Sequence, residues 1–110
     1  MRTIEYEAFV QDTWIGSGKP EKHELEDLFI AATGIGGEAG EVQELLKKYV
    51  RDGAIDVNKL KRELGDVFYY ITRLSIMFGF TLEDVMNSNV DKLNDRLARL
   101  GTLHGSGSDR

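Results

Sequence analysis

Two pairs of acidic residues carry the chemistry that this sequence could support. Glu38 and Glu41 stand three positions apart, and Glu63 and Asp66 repeat that spacing after 21 intervening residues. Residues three apart are neighbours on one face of a helix, so each pair can direct two carboxylates at one point. Acidic pairs are also common on the solvated surface of an acidic protein. Their spacing alone therefore indicates little, and their direction has to be considered.

The direction of the first pair follows from helical geometry at ~100° per residue. The centre of the apolar stripe of its helix is taken at four residues, Leu28, Ala32, Ala39 and Leu46. Relative to this centre, Glu38 falls about 80° to one side and Glu41 about 140° to that side, whereas Glu44 falls near the back. We therefore expect Glu38 and Glu41 to border the core, and Glu44 to face away from it.

The second pair has a similar direction on the next helix. With its stripe centred on Leu60, Ile71 and Phe78, Glu63 lies about 60° to one side and Asp66 about 120°, with the same sense of rotation. A short turn around Gly53 would make the two helices antiparallel. Equal rotations on facing antiparallel helices point to the same side, so we predict that the four carboxylates converge.

Four converging carboxylates need compensation, because like charges raise one another's pKa and resist burial. Protonation, a metal ion, or salt bridges would each provide it, and four basic residues are candidates for the salt bridges: Lys47, Lys48, Arg62 and Arg73. A set of oxygen ligands suits Mg²⁺, with Mn²⁺ as the alternative. A di-iron bundle would show Glu-x-x-His pairs, and His23 and His104 belong to none. We therefore predict a site for Mg²⁺ or Mn²⁺.

The elements that must position these residues are helices. Apolar residues recur at intervals of three or four in four segments, residues 3–15, 25–50, 60–78 and 82–100. Thr81 and Asp84 suit the capping box of the last segment, and no strand pattern is visible. We predict a single all-α domain over residues 1–100, a four-helix bundle, followed by a flexible tail over residues 101–110.

The glycine-rich stretch "TGIGGEAGEVQE", residues 33–44, has the pattern of a dinucleotide-binding loop. That motif requires a βαβ unit, and helices follow here instead. We interpret the stretch as the interior of a helix, where small residues let another backbone or a ligand approach closely. The angles place Gly36 near the core side and Gly37 towards solvent.

The composition excludes several classes of partner. The net charge of −5 argues against nucleic acid, since phosphate backbones attract basic surfaces. The chain has no cysteine, so a thiolate metal site and a disulfide scaffold are excluded. No apolar run approaches the ~20 residues of a membrane span, and acidic residues near the N-terminus do not suit a signal peptide. These features predict a cytoplasmic protein without a membrane partner.

Three stretches, "GGEAGEVQELLKK", "ELGDVFYYITRL" and "NVDKLNDR", resemble the MazG-like nucleoside triphosphate pyrophosphohydrolases of the all-α NTP pyrophosphatase superfamily. The family motif is E-x-x-E, a spacer and E-x-x-D, and the resemblance runs from Leu25 to Arg99. It implies Mg²⁺-dependent hydrolysis of an NTP or dNTP to the monophosphate and pyrophosphate, with water attacking the α-phosphorus. The catalytic, metal-binding residues it implies are Glu38, Glu41, Glu63 and Asp66, one of which would accept the proton of the water.

Three more residues are candidates for substrate binding. Asn89 falls inside the apolar stripe of the last helix, where a buried amide needs partners, and the resemblance favours a ligand over a structural role. Lys92, one turn further, could reach a phosphate or remain solvated. Tyr70, one turn after Asp66, could line the nucleoside pocket or only pack.

The stretch "VFYYITRLSIMFGF" is apolar around most of its circumference, which predicts a helix buried on all sides. A four-helix monomer of this size cannot easily enclose such a helix, so we expect a homodimer or a dimer of dimers. Two alternatives stay open at this point. One is a non-enzymatic helical interaction module with a solvated acidic face, and the other is a metal-dependent phosphohydrolase that gives different products.

Overall fold

The computed structural model describes residues 1–14 and 25–102. This part of the chain contains no strand and forms four helices: α1 (Thr3–Thr13), α2 (Leu25–Asp52), α3 (Val57–Met77) and α4 (Leu82–Leu100). The predicted all-α, four-helix fold is confirmed. The predicted loop around Pro20, both histidines and residues 103–110 of the predicted tail lie outside the described residues.

The connection between α2 and α3 is short because each helix has a local signal at its end. Gly53, at a φ of 83°, ends α2, and its backbone N–H donates to the carbonyl oxygen of Tyr49 at 2.7 Å. The carboxylate of Asp56 accepts hydrogen bonds from the backbone N–H groups of Asn58 and Lys59 at 3.0 and 3.1 Å. This N-cap starts α3 at Val57, three residues before the predicted start. The tight turn makes α2 and α3 antiparallel neighbours.

The start of α4 agrees with the sequence prediction. The backbone N–H of Asp84 donates to the Thr81 hydroxyl at 3.0 Å, and the N–H of Thr81 donates to the Asp84 carboxylate at 2.9 Å. The predicted capping box is therefore confirmed. A carboxylate from α1 also caps this helix, because Glu7 accepts from the backbone N–H of Leu82 at 2.6 Å. This bond joins α1 to the start of α4.

The helices pack as an antiparallel α2–α3 pair, with α1 and α4 grouped at one end of it. Contacts between α2 and α3 are the most extensive, and α1 contacts both α3 and α4. Few apolar residues in the described part of the chain are buried, namely Val10, Ala31, Met77 and Leu82. They belong to α1, the first part of α2, the end of α3 and the start of α4. The other end of the pair, near the Gly53 turn, is consequently more open.

The orientation of α2 differs from the prediction by about one residue, or ~100°. Ala32 and Leu46, taken as the centre of its apolar stripe, are exposed, whereas the preceding Ala31 is fully buried. The inward face runs through six residues: Asp27, Ala31, Gly34, Glu38, Val42 and Leu45. Small residues on this face let α3 approach closely, and larger apolar side chains are left outside.

The apolar surface left outside is considerable for so small a chain. On α2, Leu25 is 84% exposed and Phe29 is 69% exposed. On α3, Leu64 and Phe68 are also exposed, and Phe78 lies beyond the end of the helix. The prediction that α3 is buried on all sides is therefore wrong for the single chain. The homodimer that it suggested stays a prediction.

Candidate functional site

The predicted carboxylates meet across the α2–α3 pair. Glu38 of α2 and Glu63 and Asp66 of α3 each place one carboxylate oxygen within 4.8 Å of the other two. Glu63 and Asp66 are three residues apart on one helix, and the antiparallel partner presents Glu38 to them. Glu38 and Glu63 are half-buried, and Asp66 is exposed. We call these three residues the acidic cluster.

The carboxylates of the acidic cluster destabilise one another's charged forms. Burial raises the pKa of Glu38 above its usual value, and the negative charges of Asp66, Glu63 and Glu41 raise it further, in that order of contribution. Glu41 thus lies close enough to act on Glu38, although it is exposed and its oxygens are not among the three that come together. The structure brings three of the four predicted ligands into one group, with Glu41 at its edge.

None of the basic residues considered as partners compensates the cluster. The Lys47 ammonium lies 3.9 Å from Glu44, and Arg73 is buried elsewhere, where it donates to Gln11. Within residues 1–14 and 25–102, no salt bridge joins a lysine or arginine to Glu38, Glu63 or Asp66. Like charges in an all-oxygen group without a cationic partner fit a hard divalent ion such as Mg²⁺ or Mn²⁺.

Tyr70 lies one turn after Asp66 and is half-buried by packing. A methyl group on the Cα of Gly34 would lie 2.5 Å from ring carbons Cδ1 and Cε1 of Tyr70, so the ring rests directly on the α2 backbone. Trp14 and Tyr69 meet the ring edge to face, with centroids 6.2 and 5.6 Å away. These contacts agree with the packing alternative for Tyr70. Its role in substrate binding stays a prediction.

The glycine that permits a close approach is Gly34. Gly36 is exposed, and neither it nor Gly37 has an atom of the described residues within 4 Å of an added Cβ. The expectation that Gly36 lies near the core side is therefore wrong, for the same reason as the orientation of α2. The expectation that Gly37 faces solvent agrees with its exposure.

Asn89 and Lys92 lie apart from the acidic cluster in the single chain. Both are exposed on α4 and line one groove together with Phe80, Asp84, Val85 and Ser88. None of the three clustered carboxylates lines that groove. Asn89 was expected inside a buried stripe, and this is wrong for the single chain, because the Asn89 side chain is exposed on α4. Substrate contact by the two residues stays a prediction.

A second group of charges lies at the end of the α2–α3 pair that packs against α1, which we call the closed end. The sequence did not indicate that these charges form a group. Asp27 and Arg73 are 0% and 2% exposed. One oxygen of Asp27 accepts from the Trp14 indole N–H at 3.4 Å, and the Arg73 guanidinium lies 4.8 Å from the centre of that ring. Burial lowers the pKa of Arg73, and the charge of Asp27 opposes this shift. An arginine inside the apolar run "YYITRLSIM" was the available signal, because such a charge is rarely buried unless compensated.

The chain is similar to known proteins over most of its length. The family model described as the MazG nucleotide pyrophosphohydrolase domain matches residues 24–100, which include the acidic cluster. The Gene 37 protein of Mycobacterium phage L5 is 36% identical over 110 residues, and the alignment covers 96% of both chains. No solved structure matches. In the described part of the chain, no helix is both long and apolar enough to cross a bilayer.

Proposed function

Because the chain belongs to the MazG nucleotide pyrophosphohydrolase domain family, we propose that it hydrolyses a nucleoside triphosphate, an NTP or a dNTP, to the monophosphate and pyrophosphate. Mg²⁺ is the proposed cofactor, with Mn²⁺ as an alternative. The observation that carries the proposal is the convergence of Glu38, Glu63 and Asp66, whose oxygens lie within 4.8 Å of one another inside the matched region.

The acidic cluster would hold the divalent cations, and Glu41 at its edge would add a fourth carboxylate. A bound divalent ion supplies charge neutralisation for the triphosphate and activation of a water molecule. The water oxygen attacks the α-phosphorus, the bond from that phosphorus to the bridging oxygen breaks, and pyrophosphate leaves. One carboxylate of the set accepts the proton of the attacking water. At the acidic cluster itself, the phosphates would be held through the bound cations, because carboxylates and phosphates repel each other.

The decisive experiment identifies the products. The protein is incubated with each common NTP and dNTP in the presence of Mg²⁺, and the products are separated and assigned by ³¹P NMR. Monophosphate plus pyrophosphate is the expected result, whereas diphosphate plus phosphate would indicate a different phosphohydrolase. In ¹⁸O-labelled water the label should enter the monophosphate, because the attack is on the α-phosphorus. No turnover across the panel would contradict an enzymatic function.

A matched pair of variants connects the activity to the site. Asp66→Asn removes one charge from the acidic cluster and should lower kcat/KM by more than ~100-fold. Glu44→Gln is the control, because Glu44 is exposed on the same part of α2 but lies outside the cluster. Equal rates for both variants and the wild type would show that the cluster does not hold the catalytic ions.

We also propose that the protein acts as a homodimer or a dimer of dimers. The support is the apolar surface of α2 and α3, which includes Leu25, Phe29, Leu64 and Phe68 and which the single chain leaves exposed. A second copy could also bring Asn89 and Lys92 of its α4 towards the acidic cluster. Sedimentation equilibrium at micromolar concentration should give a mass at least twice that of one chain. A monomer mass at full activity would refute the association.

A further inference from the structure

We propose that the contact between Gly34 and Tyr70 sets the distance between α2 and α3 at the acidic cluster, which makes Tyr70 a positioning residue for the cation site. The inference rests on the proposed function, because it concerns the cations of that site. Among the glycines of residues 33–44, this role is specific to Gly34, because an added Cβ at the other three would have no atom of the described residues within 4 Å.

The sequence positions place this contact next to the cluster. Gly34 precedes Glu38 by four residues on α2, and Tyr70 follows Asp66 by four residues on α3. Residues four apart lie on one face of a helix, about one turn or ~5.4 Å along the axis. Since α2 and α3 are antiparallel, the pair Gly34–Tyr70 is followed one turn later by the pair Glu38–Asp66. The spacing of the helices at the first pair is therefore transmitted to the second.

The contact is tight enough to control that spacing. A Cβ on Gly34 would lie 2.5 Å from Cδ1 and Cε1 of Tyr70 and 2.7 Å from Cγ, against ~3.5–4.0 Å for an unstrained carbon contact. The overlap is with the body of the ring and not with its far end. Trp14 and Tyr69 pack nearly perpendicular to the Tyr70 ring, with centroids 6.2 and 5.6 Å away, so rotation of the ring is opposed. Relief of the overlap requires α2 to move away from α3 by ~1 Å.

A shift of this size matters for a divalent ion. Mg²⁺ demands oxygen ligands at ~2.0–2.1 Å in near-octahedral geometry, and the cluster draws its oxygens from both helices. Changes to groups that only orient ligands typically weaken metal affinity by ~10–100-fold. Gly34→Ala should therefore weaken cation binding although it touches no carboxylate.

The test measures Mn²⁺ binding to the protein without nucleotide, by the loss of the free Mn²⁺ EPR signal. Gly34→Ala should bind Mn²⁺ at least ~10-fold more weakly than wild type. Gly36→Ala is the matched control, with the same substitution two residues away on the same helix and nothing within 4 Å of its new Cβ. It should bind Mn²⁺ as wild type does. If Gly34→Ala and Gly36→Ala bind Mn²⁺ equally while both are folded by circular dichroism, the inference is wrong.

Variants of Tyr70 test the other side of the contact. Tyr70→Phe keeps the ring and should retain wild-type Mn²⁺ affinity, whereas Tyr70→Ala should weaken binding even if Gly34→Ala does not fold. In the combined variant, Gly34→Ala should add little to the loss caused by Tyr70→Ala, because the two residues act through one contact. Full additivity of the two losses would refute that contact as the cause.

The same measurements distinguish two kinds of failure. If the wild type neither binds Mn²⁺ nor hydrolyses nucleotides, the proposed function fails and the inference fails with it. If the wild type does both and Gly34→Ala binds Mn²⁺ normally, only the inference fails. If Tyr70→Phe raises the KM for nucleotide but leaves Mn²⁺ affinity unchanged, the hydroxyl contacts substrate, and the loss on Tyr70→Ala still decides the positioning role.

Discussion

Two regions of the α2–α3 pair hold charge in opposite ways. At the end packed against α1, Asp27 and Arg73 are enclosed, carry opposite charges and share Trp14 as a neighbour. Near the middle of the pair, the acidic cluster brings like charges together at a partly open surface, without a basic residue in salt-bridge contact among the described residues.

The difference indicates that the Asp27 and Arg73 charges stabilise the fold and that the acidic cluster binds a ligand. Charges that the chain compensates itself can be buried and serve the fold, although burial still lowers the pKa of Arg73. Charges that the chain leaves uncompensated raise the pKa of Glu38 and oppose folding. Such a group is retained where something outside the chain supplies the positive charge. Substitutions at Asp27 and Arg73 should therefore affect stability, and substitutions in the acidic cluster should affect cation binding.

The largest effect is expected at the closed end. Asp27→Asn keeps an oxygen that can accept from Trp14 but removes the charge that opposes the desolvation of Arg73. We expect the free energy of unfolding to fall by about 3 kcal/mol, the low end of the range for a broken buried pair, as measured by urea denaturation. Asp91→Asn, on an exposed residue of α4, serves as the control. A loss below ~1 kcal/mol for Asp27→Asn would show that the two charges are not coupled.

The next effect is on catalysis at the acidic cluster. Asp66→Asn should lower kcat/KM by more than ~100-fold, because even groups that only orient a metal ligand cost ~10–100-fold. Without divalent ions its Tm should equal or exceed that of the wild type, since one of the repelling charges is gone. If Tm falls together with kcat/KM, Asp66 stabilises the fold, and the contrast between the two charged regions is wrong.

A smaller effect should appear in the pH dependence of stability. The pKa of Glu38 is raised in the folded chain above its usual value of 4.5. At pH values between 4.5 and this raised pKa, the folded state therefore binds more protons than the unfolded state. In the presence of a chelator, Glu38 therefore lowers the free energy of unfolding as the pH rises from about 4.5 through the raised pKa, after which the loss is constant. Glu38→Gln should remove this loss.

The measurement compares urea denaturation of the wild type and Glu38→Gln at several pH values. The stability advantage of Glu38→Gln should be larger at pH 7 than at pH 4. Addition of Mg²⁺ should reverse the order of the two proteins at pH 7, because the ion stabilises only a folded state that can bind it. An advantage that is independent of pH would contradict the electrostatic account of Glu38.

The smallest effect concerns the open glycines. Gly36→Ala and Gly37→Ala place a methyl group where the described chain has no atom within 4 Å, and both remove a glycine from a helix interior. Each should raise the free energy of unfolding by about 0.5–1 kcal/mol. A decrease for Gly36→Ala at concentrations where the protein associates would show that a partner chain covers this face.

The sequence was sufficient for the helices and for the convergence of three carboxylates. The intervals of apolar residues and the capping box at Thr81 and Asp84 are local features, and local features decide where a helix lies. The predicted convergence of Glu38 with Glu63 and Asp66 is correct although the predicted orientation of α2 is wrong. It depends on the spacing within each helix and on the short turn at Gly53, which are also local.

The orientation of α2 could not be predicted in the same way. The stripe through Ala32 and Leu46 is the more apolar, yet α3 packs on Ala31 and Gly34, where small residues allow closer approach. The angular position of the apolar stripe does not decide which face of a helix meets its neighbour, because that also depends on how closely the neighbour can approach. The buried position of Asp27 follows from the same rotation.

The central claim is that the acidic cluster holds the divalent ions required for hydrolysis, and Mn²⁺ binding without nucleotide tests it most directly. The titration compares the wild type with Glu38→Gln, Asp66→Asn and the control Glu44→Gln. The account predicts saturable binding to the wild type and to Glu44→Gln, and loss of that binding in the other two. Equal binding by all four proteins, or no binding by an active wild type, would contradict it.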